Sequence, residues 1–194
     1  MILTPIEDQR LDETLDRFAA RLEDPVARVA FGCIRVTSAE RASGAAAERH
    51  RHQAIDIARN AGMPLHPPEK RSVFNWDGVA LDTGTEAYVI LHEVAHYVLA
   101  PPERRCLIDF GLGPGPDTID RDTAERAIVL PLIEREEDEA TASLLGILWE
   151  ARLSQPALAS FLDQNWLEGL ERSAAPHFTQ VLRRIIDLGV LSAL

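Results

Sequence analysis

Ala87-Tyr-Val-Ile-Leu-His92-Glu93-Val-Ala-His96-Tyr97-Val-Leu-Ala100 is the stretch on which the reading of this chain turns. It is apolar on nearly every side, and Pro101-Pro102 stops it, because proline cannot continue a helix and disfavours helical backbone in the residue before it. A helix that is apolar all round is a buried helix. Upstream, Thr83-Gly-Thr-Glu86 has the spacing of a capping box, so the expected helix runs from Ala87 to Ala100.

Inside that apolar run stand two histidines four residues apart with a glutamate between them. On a helix, residues at this spacing share a face with Cβ atoms roughly 5–6 Å apart, so His92 and His96 can reach one metal ion. Glu93 sits one position round from His92, where a carboxylate can hydrogen-bond a metal-bound water instead of ligating the metal, so its expected catalytic role is general base or water orienter. Each of these polar groups is costly to bury alone, and a divalent cation satisfies all three together. The site therefore calls for one divalent metal ion.

Two histidines leave such a site incomplete, and the next helix supplies the candidates. The stretch from about Pro131 to Arg152 carries Ile133, Ala140, Leu144, Ile147, Leu148 and Ala151 on its apolar face, with Glu134, Glu136, Glu137, Asp138 and Glu139 in its first turns. Steps of about 100° per residue place Glu137 nearest the centre of that face and Glu136 at its edge, with Glu134, Asp138 and Glu139 turned away. Glu137 is the expected third ligand and Glu136 the second choice; the rest read as a solvated run at a helix N-terminus. Tyr97, Arg104, Arg105 and Asp109 follow the histidines closely enough to bind substrate or orient a ligand.

Working outward, Ile6 to Leu22 has helical periodicity, whereas Val26 to Val36 is rich enough in β-branched residues to read as strand for part of its length. Arg41 to Asn60 reads as a helix closed at Ala61-Gly-Met-Pro64. Ser72 to Trp76 and Gly78 to Leu81 read as short strands about an Asp77-Gly78 turn. Pro156 to Trp166 and Pro176 to Leu188 each open a helix on a proline. The expected fold is thus α+β: an α-rich single domain, 1–194, with a small sheet beside the buried metal helix. Within it 1–70 is an N-terminal region, 71–153 the metal-site core and 154–194 the C-terminal helices. Val190, Leu191 and Leu194 suggest a weak homodimer contact on an otherwise monomeric chain.

The whole composition sets the outer limits. Twenty Lys plus Arg against 31 Asp plus Glu give a net charge of −11 over 194 residues, which disfavours phosphate backbones and anionic lipid alike. Neither nucleic acid nor membrane is an expected partner. Cys33 and Cys106 are too few and too far apart for a disulfide framework or a thiolate metal site, and no leader or apolar span is evident, so a reducing, cytoplasmic setting is expected.

One segment also carries a resemblance. His92-Glu-Val-Ala-His96-Tyr-Val-Leu-Ala100-Pro-Pro-Glu-Arg104-Arg105-Cys-Leu107-Ile-Asp109-Phe110-Gly111 is similar, without gaps, to the core motif of the elongation factor P hydroxylase family. Weaker similarity extends from about Asn75 to Leu182; the first seventy residues show none, and Gly113 to Thr118 begins an insertion. The resemblance implies a zincin-like metal helix and a monooxygenase that hydroxylates a modified lysine of a translation factor. It also implies a triad of His92, His96 and one acid from 134–139. Two imidazoles and one carboxylate with open positions suit Fe(II), the favoured ion. Zn(II) in the same ligands is the alternative and would make the chain a small metallopeptidase with Glu93 as base. That chemistry needs a carbonyl-stabilising group, for which Tyr97, Arg104, Arg105 or His177 could serve. A third reading is a metal-stabilised binding protein without turnover. The substrate is a protein or small molecule, and acidity mildly favours a basic protein segment.

Overall fold

A computed structural model describes residues 8–115, 118–167 and 174–192. Eight α-helices appear among them: α1 (Asp8–Arg21), α2 (Pro25–Arg35), α3 (Gly44–Asn60), α4 (Ala87–Leu99), α5 (Arg121–Arg126), α6 (Leu132–Arg152), α7 (Ala157–Asp163) and α8 (Ala174–Asp187). A single 3-10 turn, Ile108–Gly111, lies between α4 and α5, and another, Val190–Ser192, follows α8.

The expected α+β class is overturned, because the described residues contain no sheet and the fold is all-α. Two isolated bridges, Leu65 to Leu81 and Trp76 to Leu81, are all that stands where a sheet beside the metal helix was expected. The Asp77 side chain explains why: it accepts from the amides of Val79 and Ala80 and contacts His66 Nε2 at 2.7 Å, which curls 77–80 into a side-chain-capped turn. Val26 to Val36, read as strand, is α2. Asp24 caps it by accepting from the Val26 amide, and Pro25 is set for the first helical position. Ala27, Phe31 and Ile34 then fall on its buried face at helical spacing, leaving Val26, Val29 and Val36 exposed. Tertiary burial overrides the β-branched propensity there.

Other expectations meet smaller differences. The capping box before α4 is not formed: Glu86 is the N-cap but its side chain makes no capping bond, accepting from the Thr85 hydroxyl, and Thr83 turns its hydroxyl to the His66 carbonyl. The stop is as physical chemistry requires, with Ala100 extended before Pro101. Val190 and Leu191 are partly buried against the core; Leu194 lies outside the described residues, as does Ile6 at the head of the first helix. The insertion segment is described except at 116–117.

Two interiors result. Phe18, Phe31, Phe161, Phe178 and Trp166 form an aromatic cluster joining α1, α2, α7 and α8, with ring centroids 4.7–6.4 Å apart and mostly edge-to-face. Each such ring stabilises the fold by roughly 1.5–3 kcal/mol through burial. The second interior is the α4–α6 pair, with α3 on the other side of α4. Gly146 lets α6 approach closely, since a Cβ at that position would stand 3.4 Å from the His92 amide nitrogen. His96 meets Asp138 near the start of α6, and Tyr88 lies beside Arg41, which reaches Glu150 near its end. The two helices therefore run antiparallel.

Candidate metal centre

Helix α4 delivers the histidines as its sequence demands: Ile90, Leu91, Val94 and Ala95 bury its flanks, so His96 and Glu93 go into the interior with them. The two imidazoles turn their Nε2 atoms toward each other at 3.1 Å. Glu139 of α6 completes the group, its Oε2 standing 3.4 Å from His92 Nε2 and 3.5 Å from His96 Nε2. Among the described residues these three form the set of His and carboxylate side chains that could hold a metal.

The distances test the fit. Ligand atoms bound at about 2.1 Å and separated by angles between 90° and the tetrahedral value lie roughly 3.0–3.4 Å apart. The three edges seen here, 3.1, 3.4 and 3.5 Å, lie in or just beyond that range. The outer partner is also in place: Asp138 Oδ1 lies 3.0 Å from His96 Nδ1, so a proton on Nδ1 leaves the Nε2 lone pair facing the centre. Arg104 in turn holds Asp138 through its Nη2. Phe110 stacks on the His96 ring at 5.6 Å and fixes its plane.

The electrostatics ask for a cation. Burial alone would lower the His96 pKa, but the Glu139 and Asp138 carboxylates outweigh it and lift it to about 10. Loss of hydration would raise the Glu139 pKa, yet the two histidines hold it well below the ordinary carboxylate range. Glu93 goes the other way: burial raises it, against the pull of His92, His96 and an Asn75 amide that donates to Oε1 at 3.4 Å. Without a metal, a proton on His96 supplies the positive charge that a divalent ion would bring. The donor set, two imidazole nitrogens and one carboxylate oxygen, suits iron or zinc.

The structure brings Glu139, and not the expected Glu137 or Glu136, to the two histidines. All three glutamates are exposed, but Glu137 is paired with Arg184 of α8 at 2.7 Å, whereas Glu139 reaches both histidine Nε2 atoms. Helix α6 buries two faces, one against α4 and one toward α2, α7 and α8. Averaging all its apolar residues, with Ile133 that is in fact 71% exposed, points between those faces and singles out Glu137. The α4 face alone reads Glu139, Gly146, Glu150 at steps of seven and four, and the small residue at its centre was the available signal.

The remaining candidates are placed as follows. The Tyr97 hydroxyl donates to the Gly62 carbonyl at 3.3 Å. Arg105 lies over the Tyr97 ring at 4.6 Å and donates to the Ala100 carbonyl. Arg104 belongs to Asp138. Asp109 neither orients a histidine nor pairs with either arginine; Asp138, read from sequence as turned away, does both.

Compared with family models, with curated proteins and with solved structures, the chain gave no match. No helix among the described residues is long and apolar enough to cross a membrane.

Proposed function

We propose that this chain is a mononuclear metal-dependent hydroxylase in which His92, His96 and Glu139 hold one divalent ion, Fe(II) in preference to Zn(II). The observation that carries the reading is the triangle of two Nε2 atoms and one Oε2 with edges of 3.1, 3.4 and 3.5 Å, backed by Asp138. Three protein ligands on one side leave the other positions open, as iron sites that bind dioxygen and substrate together require. Bound there, iron would supply dioxygen chemistry: one oxygen atom enters a C–H bond of the substrate and the other leaves as water, with two electrons from an external reductant.

The chain's own groups prepare that centre. Asp138 holds the His96 ring in one tautomer, Arg104 keeps Asp138 ionised beside it, and Phe110 with Trp76 walls the ring from water. Glu93, buried and raised in pKa, can hold a proton at the site. A zinc hydrolase would use the same Glu93 as base, and its anchoring by Asn75 favours keeping that reading as the second. It lacks support on another count: Tyr97, Arg104 and Arg105, which could steady a carbonyl oxygen, are each committed to other partners. A protein side chain remains the substrate class that the motif resemblance implies.

The test is elemental analysis of the purified protein with a His92→Ala, His96→Ala control, then anaerobic Fe(II) loading and an oxygen electrode. Stoichiometric iron with reductant-dependent oxygen uptake is the expected result. Zinc alone, with amide hydrolysis lost in Glu93→Gln while metal is retained, would establish the second reading.

A further inference from the structure

Asp109 combines three features that a residue serving only the fold would not retain. Its backbone is left-handed, φ 45° and ψ 37°, and so is that of Phe110 at φ 55° and ψ 19°. Two consecutive residues with side chains in this region are strained, the bulky Phe more than the Asp. The surroundings impose the strain: the Asp109 amide donates to the Trp76 carbonyl at 3.1 Å, and the Phe110 ring is clamped between Trp76 at 5.4 Å and His96 at 5.6 Å. Second, the Asp109 Oδ2 atom is buried with no hydrogen-bond partner among the described residues. Third, Asp109 lies in the field of the metal centre, where burial and the Glu93 and Glu139 carboxylates oppose its ionisation while His96 and the Thr118 hydroxyl favour it.

Neither neighbouring arginine pairs with Asp109, and the donor its carboxyl does meet is the Thr118 hydroxyl. Asp138 orients His96 and neutralises Arg104, while Arg105 is spent on Tyr97 and the Ala100 carbonyl. A buried carboxylate oxygen with no donor among the described residues, held by strain one residue from the ring that stacks on a ligand, marks a place where a donor arrives later.

We propose that Asp109 is a positioning residue of the metal centre, its Oδ2 kept as the acceptor for water that enters with the divalent ion, at a cost to the stability of the metal-free chain. The inference rests on the metal reading above. It adds a fourth acidic group whose task is to hold the ion's hydration in place, distinct from the ligand Glu139, the buried carboxyl Glu93 and the ring-orienting Asp138.

Co(II) is the probe, since its visible absorption reports the atoms around it. The variants are Asp109→Asn, which keeps shape and tolerates left-handed backbone while removing the charge, and Asp109→Gly, which removes the acceptor and relaxes the strain. Metal-free melting temperature, the Co(II) dissociation constant and the Co(II) band are measured on the full chain. The expected result is a melting temperature at or above that of the wild type in both variants, Co(II) binding weakened about tenfold, and an altered band. Unchanged affinity and band would overturn the proposal. So would weaker binding that tracks a lowered melting temperature, or failure of both variants to fold, since either makes Asp109 a fold residue. A wild-type chain that binds no Co(II) removes the metal reading itself, and that arm is read before any variant.

Discussion

The two ends of the α4–α6 pair bury the same kind of group and treat it oppositely. At the far end, Glu150 of α6 is 2% exposed, with its carboxyl near the Ser160 hydroxyl and 3.7 Å from Arg41 Nη1. Arg41 stacks 3.7 Å over Tyr88 of α4 and pairs with Asp163 at 2.7 Å. Every charge there has a protein partner, beside a cavity of about 440 Å³ lined by α3, the start of α4 and the α6–α7 junction. At the near end, Glu93, Asp109, Asp138 and Glu139 gather round two histidines, and Arg104 answers Asp138 alone. One end is closed by the protein itself; the other is short of positive charge. A helix pair can thus carry a structural ion network at one end and the proposed metal site at the other, and the difference lies in which end has its cations built in.

The sharpest way to break this contrast is to exchange ligand for neighbour. Glu139→Gln should weaken divalent-metal binding by about a hundredfold or more, as should His92→Ala or His96→Ala, while Glu137→Gln, two residues away, leaves the dissociation constant within about twofold. Calorimetric titration of the four variants checks this.

Arg41→Ala probes the far end. Removing the guanidinium strands Glu150, so stability should fall by about 1–3 kcal/mol in chemical denaturation while the metal dissociation constant stays as in the wild type. Loss of metal binding in that variant would show that the two ends are one unit.

Asp138→Asn is a subtler change at the near end. It keeps the shape but no longer holds the proton on His96 Nδ1 as firmly, and metal affinity should drop by about tenfold with little loss of fold. Arg104→Ala should follow in the same direction with a smaller effect.

The smallest effect is in pH dependence. Burial lifts the Glu150 pKa to about 7, with Ser160 and Arg41 pulling it down, from an ordinary 4.5. The folded chain then binds this proton more tightly than the unfolded one between those values, so the group costs stability progressively as pH rises from about 4.5 to about 7. Glu150→Gln cannot ionise and should gain on the wild type across that window in metal-free denaturation curves. A constant difference between the two would contradict the burial argument.

Legibility in the sequence followed how many partners decided each element. Helix α4 could be read outright, because an apolar run with a double proline at its end admits one geometry and two histidines four apart then share a face. Helix α2 was misread because Val26, Val29 and Val36 suggested a strand, when those valines are exposed and Ala27, Phe31 and Ile34 set the buried face. The sheet was inferred from an Asp-Gly turn whose aspartate caps a loop. Glu139 escaped because a helix packed on two sides has no single apolar face, so an averaged direction points between the two faces and at neither. Side-chain partners distant in sequence, such as Asp138 for Arg104 and Arg184 for Glu137, leave no local periodicity at all.

The most direct test of the central claim is an anomalous difference map from crystals loaded with Fe(II) under anaerobic conditions. One strong peak is expected about 2.1 Å from His92 Nε2, His96 Nε2 and a Glu139 oxygen, with further coordination positions open to solvent. A peak that involves Glu137 in place of Glu139, or no peak between the two histidines, would contradict that claim.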